Sequence, residues 1–149
     1  MSKDLSYLLR PMEERDIEDV MSAEIEAFGD TLGRDFLLSE LKINPFAVYV
    51  VLVVNEEIAG YVGLNVSDNI IINNLLVIKK YQGMGFGNLI MDFIIEVCKS
   101  SKVSSLSLEV RKSNIRAINL YEKYGLKKSY ERLKYYSNGE DAYVMIREF

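Results

Sequence analysis

Three nearly unbroken apolar runs, FAVYVVLVV (46–54), IAGYVGLNV (58–66) and IIINNLLVI (70–78), follow one another with only short polar gaps. β-Branched and aromatic residues dominate them, as in strands buried inside a sheet. The first gap, NEE, reads as a hairpin turn, and the three runs together read as an antiparallel meander. Directly downstream, YQGMGFGN (81–88) places glycines at 83, 85 and 87, just ahead of a helical apolar run, LIMDFIIEVCK (89–99). A glycine inside a helix costs roughly 1 kcal/mol relative to alanine. Something here needs bare backbone.

The flanking segments complete a mixed α/β pattern. LSYLLR (5–10) reads as a strand. RDIEDVMSAEIEAF (15–28) reads as a helix with Ile17, Met21, Ile25 and Phe28 on its apolar stripe and Asp16 as its N-cap. GDTLGRD (29–35) breaks that helix, and FLLSELK (36–42) forms a second that stops before Pro45. LSLEV (106–110) is a strand. SNIRAINLYEKYG (113–125) is a helix with Ser113 or Asn114 as cap and Gly125 as stop. Two late strands, around 127–136 and 141–147, are joined by the turn sequence SNGED. The order is β-α-α-β-β-β-α-β-α-β-β, and 149 residues with no linker or repeat make one domain over 1–149.

Composition narrows the chemistry. The chain has no histidine and one cysteine, Cys98. A zinc site of ordinary type is therefore not expected, and Ser-His and Cys-His nucleophilic pairs are excluded. Acid–base work falls to carboxylates, tyrosines, lysines or water. A net charge of −4 argues against nucleic acid as a partner. No apolar run reaches the ~18 residues of a membrane span, and MSKDLSYLLRPMEERD lacks the core of a signal peptide. A soluble, cytoplasmic protein is expected.

A strand, a glycine turn and a helix start together make an anion site, because the first amides of a helix lack intrahelical partners. The dinucleotide pattern G-x-G-x-x-G fails, since the sixth position from Gly83 is Asn88 and from Gly85 is Ile90. The phosphate-loop pattern G-x-x-x-x-G-K-[ST] fails as well. What matches is Q-x-x-G-x-G, read as Gln82, Gly85 and Gly87.

At this point the chain resembles the GNAT family of acyl-CoA-dependent N-acetyltransferases, whose pyrophosphate loop reads [RQ]-x-x-G-x-[GA]. LSLEVRKSNIRAINLYEKYGLKKSYERLKYYSNGEDAYVM (106–145) further resembles its RimI subgroup, the ribosomal-protein-alanine N-acetyltransferases. One departure falls on the substrate side: a Pro-Trp-[Ser/Thr] segment common in the subgroup is GDTLGRD here.

The resemblance implies a GNAT fold, a mostly antiparallel central sheet of about seven strands flanked by about four helices, with acetyl-CoA as co-substrate and no metal. It implies that Gln82, Gly83, Met84, Gly85, Phe86, Gly87 and Asn88 cradle the pyrophosphate. Leu75, Leu76 and Val77 would lie on a splayed strand that pairs with the pantetheine arm and supplies an N–H to the oxyanion. Asn114 would bond the cofactor near its pantetheine end, or serve as a helix cap, or both.

Acyl transfer to an amine also needs a base and an acid. Alternation puts Glu109 on the strand face opposite Leu106, Leu108 and Val110, and the resemblance makes it the base; otherwise it is a surface carboxylate paired with Arg111. Tyr121 takes the place of the acid that protonates the leaving thiolate, or else packs in the core. Cys98 reads as buried and inert, so direct transfer is expected. The acceptor would be the N-terminal amine of a small-subunit ribosomal protein, worked on by a monomer or weak homodimer. A lysine or small-amine acetyltransferase and a non-catalytic acyl-CoA sensor are the alternatives.

Overall fold

The computed structural model describes residues 5–149. Its elements are β1 (Tyr7–Pro11), α1 (Ile17–Phe28), α2 (Arg34–Lys42), β2 (Ala47–Val54), β3 (Glu57–Val66), β4 (Ile70–Val77), α3 (Phe86–Ser101), β5 (Ser105–Arg111), α4 (Ile115–Lys123), β6 (Lys127–Arg132) and β7 (Ala142–Glu148). The order matches the expected one. All strands join one seven-stranded sheet in the order β1-β2-β3-β4-β5-β7-β6. Only β4 and β5 pair in parallel, and α3 makes the crossover that a parallel pair requires.

The meander forms as its sequence dictates. Val54 pairs with Glu57 across a two-residue turn in which Asn55 and Glu56 both take positive φ, 48° and 68°. That conformation matches the right-handed twist of the strands it joins. β2 is covered on both faces: Val50, Leu52 and Val54 pack toward α3, while Tyr49 and Val51 pack toward α1 and α2. The sheet is thus the middle of three layers.

Four boundaries or roles depart from the sequence expectation. The buried stripe of α1 is Ile17, Val20, Ala23 and Glu24, whereas Ile25 is half exposed. Asp16 does not cap α1. Its carboxylate accepts from Arg10 at 2.7 and 2.9 Å and from the Glu13 N–H at 2.8 Å, tying β1 to the turn ahead of the helix. The Arg10 guanidinium holds that carboxyl below its usual range. α3 starts at Phe86, three residues before the apolar run, with Gly85 as its cap at φ 88°. The strand expected to reach residue 136 ends at Arg132, where a loop carrying Tyr135 and Tyr136 takes over.

Two irregularities shape the middle of the sheet. Gly63 pairs with Asn74 but Leu64 pairs with Ile72, so Asn73 is the extra residue of a bulge in β4. β4 and β5 stay paired only from Ile70–Leu106 to Ile72–Leu108. Beyond that point the two strands part and leave a wedge.

Candidate active site

The wedge between β4 and β5 opens into two clefts, of about 460 Å³ and about 620 Å³. Phe28, Leu75, Arg111, Asn114 and Tyr121 line both and stand between them. The first cleft is walled by the bulge residues Asn73 and Asn74, by Thr31 after α1, by Glu109, and by Tyr135 and Tyr136 of the β6–β7 loop. The second is walled by Leu75, Leu76 and Val77, by the glycine segment, and by the first turn of α4.

The glycine segment is built for its position. Gly83 and Gly85 take φ of 81° and 88°, the left-handed region that a Cβ makes costly. Gln82 turns its side-chain amide back to the Val77 carbonyl at 2.9 Å, locking the segment to the end of β4. Phe86 is buried edge-on against Tyr7 and Tyr81 and anchors the start of α3. Gln82, Gly83 and residues 85–88 line the second cleft, but Met84 does not: it is exposed and borders a separate depression with Leu5 and Tyr7. Leu76 sends its side chain into the opposite layer, so only its backbone is left to face the cleft. The Leu75 N–H is satisfied by the Asn74 side chain at 3.1 Å.

Glu109 points into the first cleft with both oxygens engaged. One accepts from the Tyr135 hydroxyl at 3.0 Å and the other pairs with Arg132. Arg111, its alternative partner by sequence, instead bonds Glu140 at 3.5 Å and the Phe28 carbonyl at 3.4 Å and lies over the Tyr136 ring at 4.2 Å. Glu140 also accepts from the Ser113 N–H at 2.8 Å, and Asp141 from the Lys134 N–H at 2.8 Å. The Glu-Asp pair near the C-terminus therefore fastens the tyrosine loop to the corner between β5 and α4. Burial pushes the Tyr136 phenol up to about 12.

Tyr121 is almost wholly buried, and its ring separates the clefts. Its hydroxyl makes no hydrogen bond among the described residues, and burial raises its pKa above the ordinary phenol value. Asn114 caps α4 by accepting from the Ala117 N–H at 3.2 Å and lines both clefts at once. Cys98 lies in the core and lines neither cleft.

Sequence reasoning missed two carboxylates behind the bulge. Glu24 is fully buried and accepts from the Tyr61 hydroxyl at 2.5 Å, the Thr31 hydroxyl at 2.5 Å and the Asn74 amide at 2.9 Å. Glu40 accepts from the Tyr49 hydroxyl at 2.9 Å and the Asn73 amide at 3.3 Å. The bulge lets both asparagines reach toward the same layer, and the buried carboxyl groups of Glu24 and Glu40 hold them there. The signal was available for Glu24, which lies seven residues after Ile17 and so falls on its stripe. Among the described residues, no group of three or more His, Cys, Asp or Glu is arranged to hold a metal.

A mostly antiparallel sheet that parts at a bulged strand, with a glycine-capped helix behind it, defines the class. The sequence profile of the Acetyltransferase (GNAT) family matches residues 13–126, and the chain belongs to that family. Relatives carry narrower names. The chain is 37% identical over 139 residues, 92% of each protein, to a Bacillus subtilis (strain 168) protein provisionally named as a ribosomal protein bS18-alanine N-acetyltransferase. Its fold superposes on the Escherichia coli ribosomal-protein-S18-alanine N-acetyltransferase with a TM-score of 0.86 at 26% identity, covering 96% of this chain and 94% of that one. It matches Ard1 from Thermoplasma volcanium at a TM-score of 0.87 and 26% identity, covering 95% and 97%. The chain is an N-acetyltransferase of GNAT type, and no helix among its described residues is long and apolar enough to cross a membrane.

Proposed function

We propose that this protein transfers the acetyl group of acetyl-CoA directly to the N-terminal α-amine, that of an alanine, of a ribosomal protein. The observation that carries the reading is the wedge: two clefts that meet at Tyr121, one backed by the glycine segment and the other holding Glu109. In this reading the co-substrate supplies an activated thioester and lies in the second cleft. Gln82 and Gly83 to Asn88 hold its diphosphate through backbone amides, with Met84 contributing backbone only. Leu75, Leu76 and Val77 offer the unpaired edge of β4 to its pantetheine arm, and Asn114 reaches that arm from the cap of α4.

The acceptor amine enters by the first cleft. Glu109 takes its proton with a water between, because Tyr135 and Arg132 occupy the carboxylate oxygens. An N-terminal amine, with an ordinary pKa near ~7.7–8.0, yields that proton far more readily than a lysine near ~10.4. Tyr121 keeps its proton through neutral pH, has no competing partner among the described residues, and gives it to the departing sulfur. The names of the Bacillus subtilis and Escherichia coli relatives support the ribosomal acceptor, and such an acceptor suits an enzyme of the cytoplasm.

A second reading has its own observation. Asp30 and Thr31, from the segment that departs from the RimI pattern, line the first cleft, and the Asp30 carboxylate suits a small cationic amine. Thiol release from acetyl-CoA separates the two. We expect turnover with a peptide beginning in alanine and none with the same peptide acetylated at its N-terminus. Turnover confined to a polyamine or a lysine side chain would overturn the first reading.

A further inference from the structure

The second cleft has an unusual charge pattern for a chain of net charge −4. Among the described residues, no carboxylate lines it. Its charged residues are Arg111 and Arg116, and Arg111 is already engaged by Glu140 and the Phe28 carbonyl. The glycine segment brings no cation of its own, since Gln82 occupies the position where the family pattern also admits arginine and spends its amide on Val77.

Arg116 is different. It is exposed, and among the described residues it forms no ion pair or hydrogen bond. Its guanidinium lies 3.8 Å from where a Cβ on Gly83 would stand. It also sits in the first turn of α4, where the helix dipole disfavours a cation and where no acidic residue offsets it. Gly87 lies close against Leu120, so the starts of α3 and α4 converge on the same cleft. A cation placed against a helix dipole, unpaired, over bare glycine backbone is stabilised once an anion arrives.

We infer that Arg116 is a cofactor-binding residue, the counter-charge for the phosphates of acetyl-CoA, doing from α4 what an arginine at position 82 would do from the loop. This rests on the reading that the second cleft takes acetyl-CoA. The test needs no acceptor and no turnover. Calorimetric affinity for CoA, dephospho-CoA and pantetheine would be compared between the wild type and Arg116→Ala, Arg116→Glu and Arg116→Lys, with melting temperature as the control for folding.

We expect CoA binding to weaken roughly tenfold in Arg116→Ala, further in Arg116→Glu, and least in Arg116→Lys. Pantetheine, which has no phosphate, should bind all four proteins alike, and the wild-type advantage should shrink with added salt. A loss seen with CoA but not dephospho-CoA assigns Arg116 to the 3′-phosphate, and a loss with both assigns it to the diphosphate. Equal CoA affinity in wild type and Arg116→Ala, or a parallel loss with pantetheine, overturns the inference. Failure of the wild type itself to bind CoA would instead overturn the placement of the cofactor.

Discussion

In the proposed reaction Tyr121 and Glu109 divide the proton work, and their surroundings differ accordingly. Burial keeps the Tyr121 phenol protonated, with a hydroxyl that none of the described residues claims. Glu109 is fixed by the Tyr135 hydroxyl and the Arg132 guanidinium, one at each carboxyl oxygen. Tyr121→Phe and Glu109→Gln should each lower kcat about 100-fold or more at unchanged CoA affinity, measured by thiol release beside calorimetry. Retained kcat in either variant would remove that residue from the chemistry. Cys98 should be dispensable: burial raises its thiol pKa and it reaches neither cleft. Cys98→Ala is expected to keep kcat within about twofold if transfer is direct, and a collapse would point to a covalent route. That Glu109, Tyr121 and Asn114 line the clefts was legible because each sits inside a contiguous motif. Arg132 and Tyr135 were not, because they meet Glu109 only after β7 pairs with both β5 and β6.

At the scale of elements, the meander was legible almost to the residue because its strands are apolar on both faces and its gaps are short. The start of α3 was not. Glycine at 87 reads as a helix breaker, yet it lies within the first turn and lets Leu120 of α4 come close. Gly85→Ala should cost about 1–2 kcal/mol by forcing a Cβ into the left-handed region, read from urea unfolding, and should weaken CoA binding in the same protein. The bulge in β4 was likewise hidden, because an extra residue shows only in register. Its support predicts a large stability effect: Glu24→Ala leaves the buried Tyr61 hydroxyl and the half-buried Asn74 amide without their acceptor. A loss of about 2–4 kcal/mol is expected, and a change below about 0.5 kcal/mol would show that the network does not hold the bulge.

Across the whole molecule, the sheet consists of two antiparallel blocks, β1–β4 and β5–β7–β6, that share a short parallel seam. The clefts exist because that seam ends early, and no local sequence pattern encodes where two strands stop pairing. The first block is also fastened at its edge by Arg10 and Asp16. The depressed pKa of Asp16 means that its contribution is fully present above the unfolded value near ~3.9 and is lost as pH falls through the lower native value. Acid unfolding of Asp16→Asn should therefore start from lower stability at neutral pH and show a shallower decline below about pH 4 than the wild type. Parallel curves would mean that the pair contributes nothing.

In the proposed reaction the wedge delivers acetyl to a terminal α-amine. Fragmentation mass spectrometry of a peptide that begins with alanine and carries an internal lysine, after incubation with the enzyme and acetyl-CoA, tests this most directly. One acetyl group is expected, located on the alanine nitrogen and formed far more slowly with Tyr121→Phe. An acetyl group on the lysine instead, or none on either amine while CoA still binds, would contradict it.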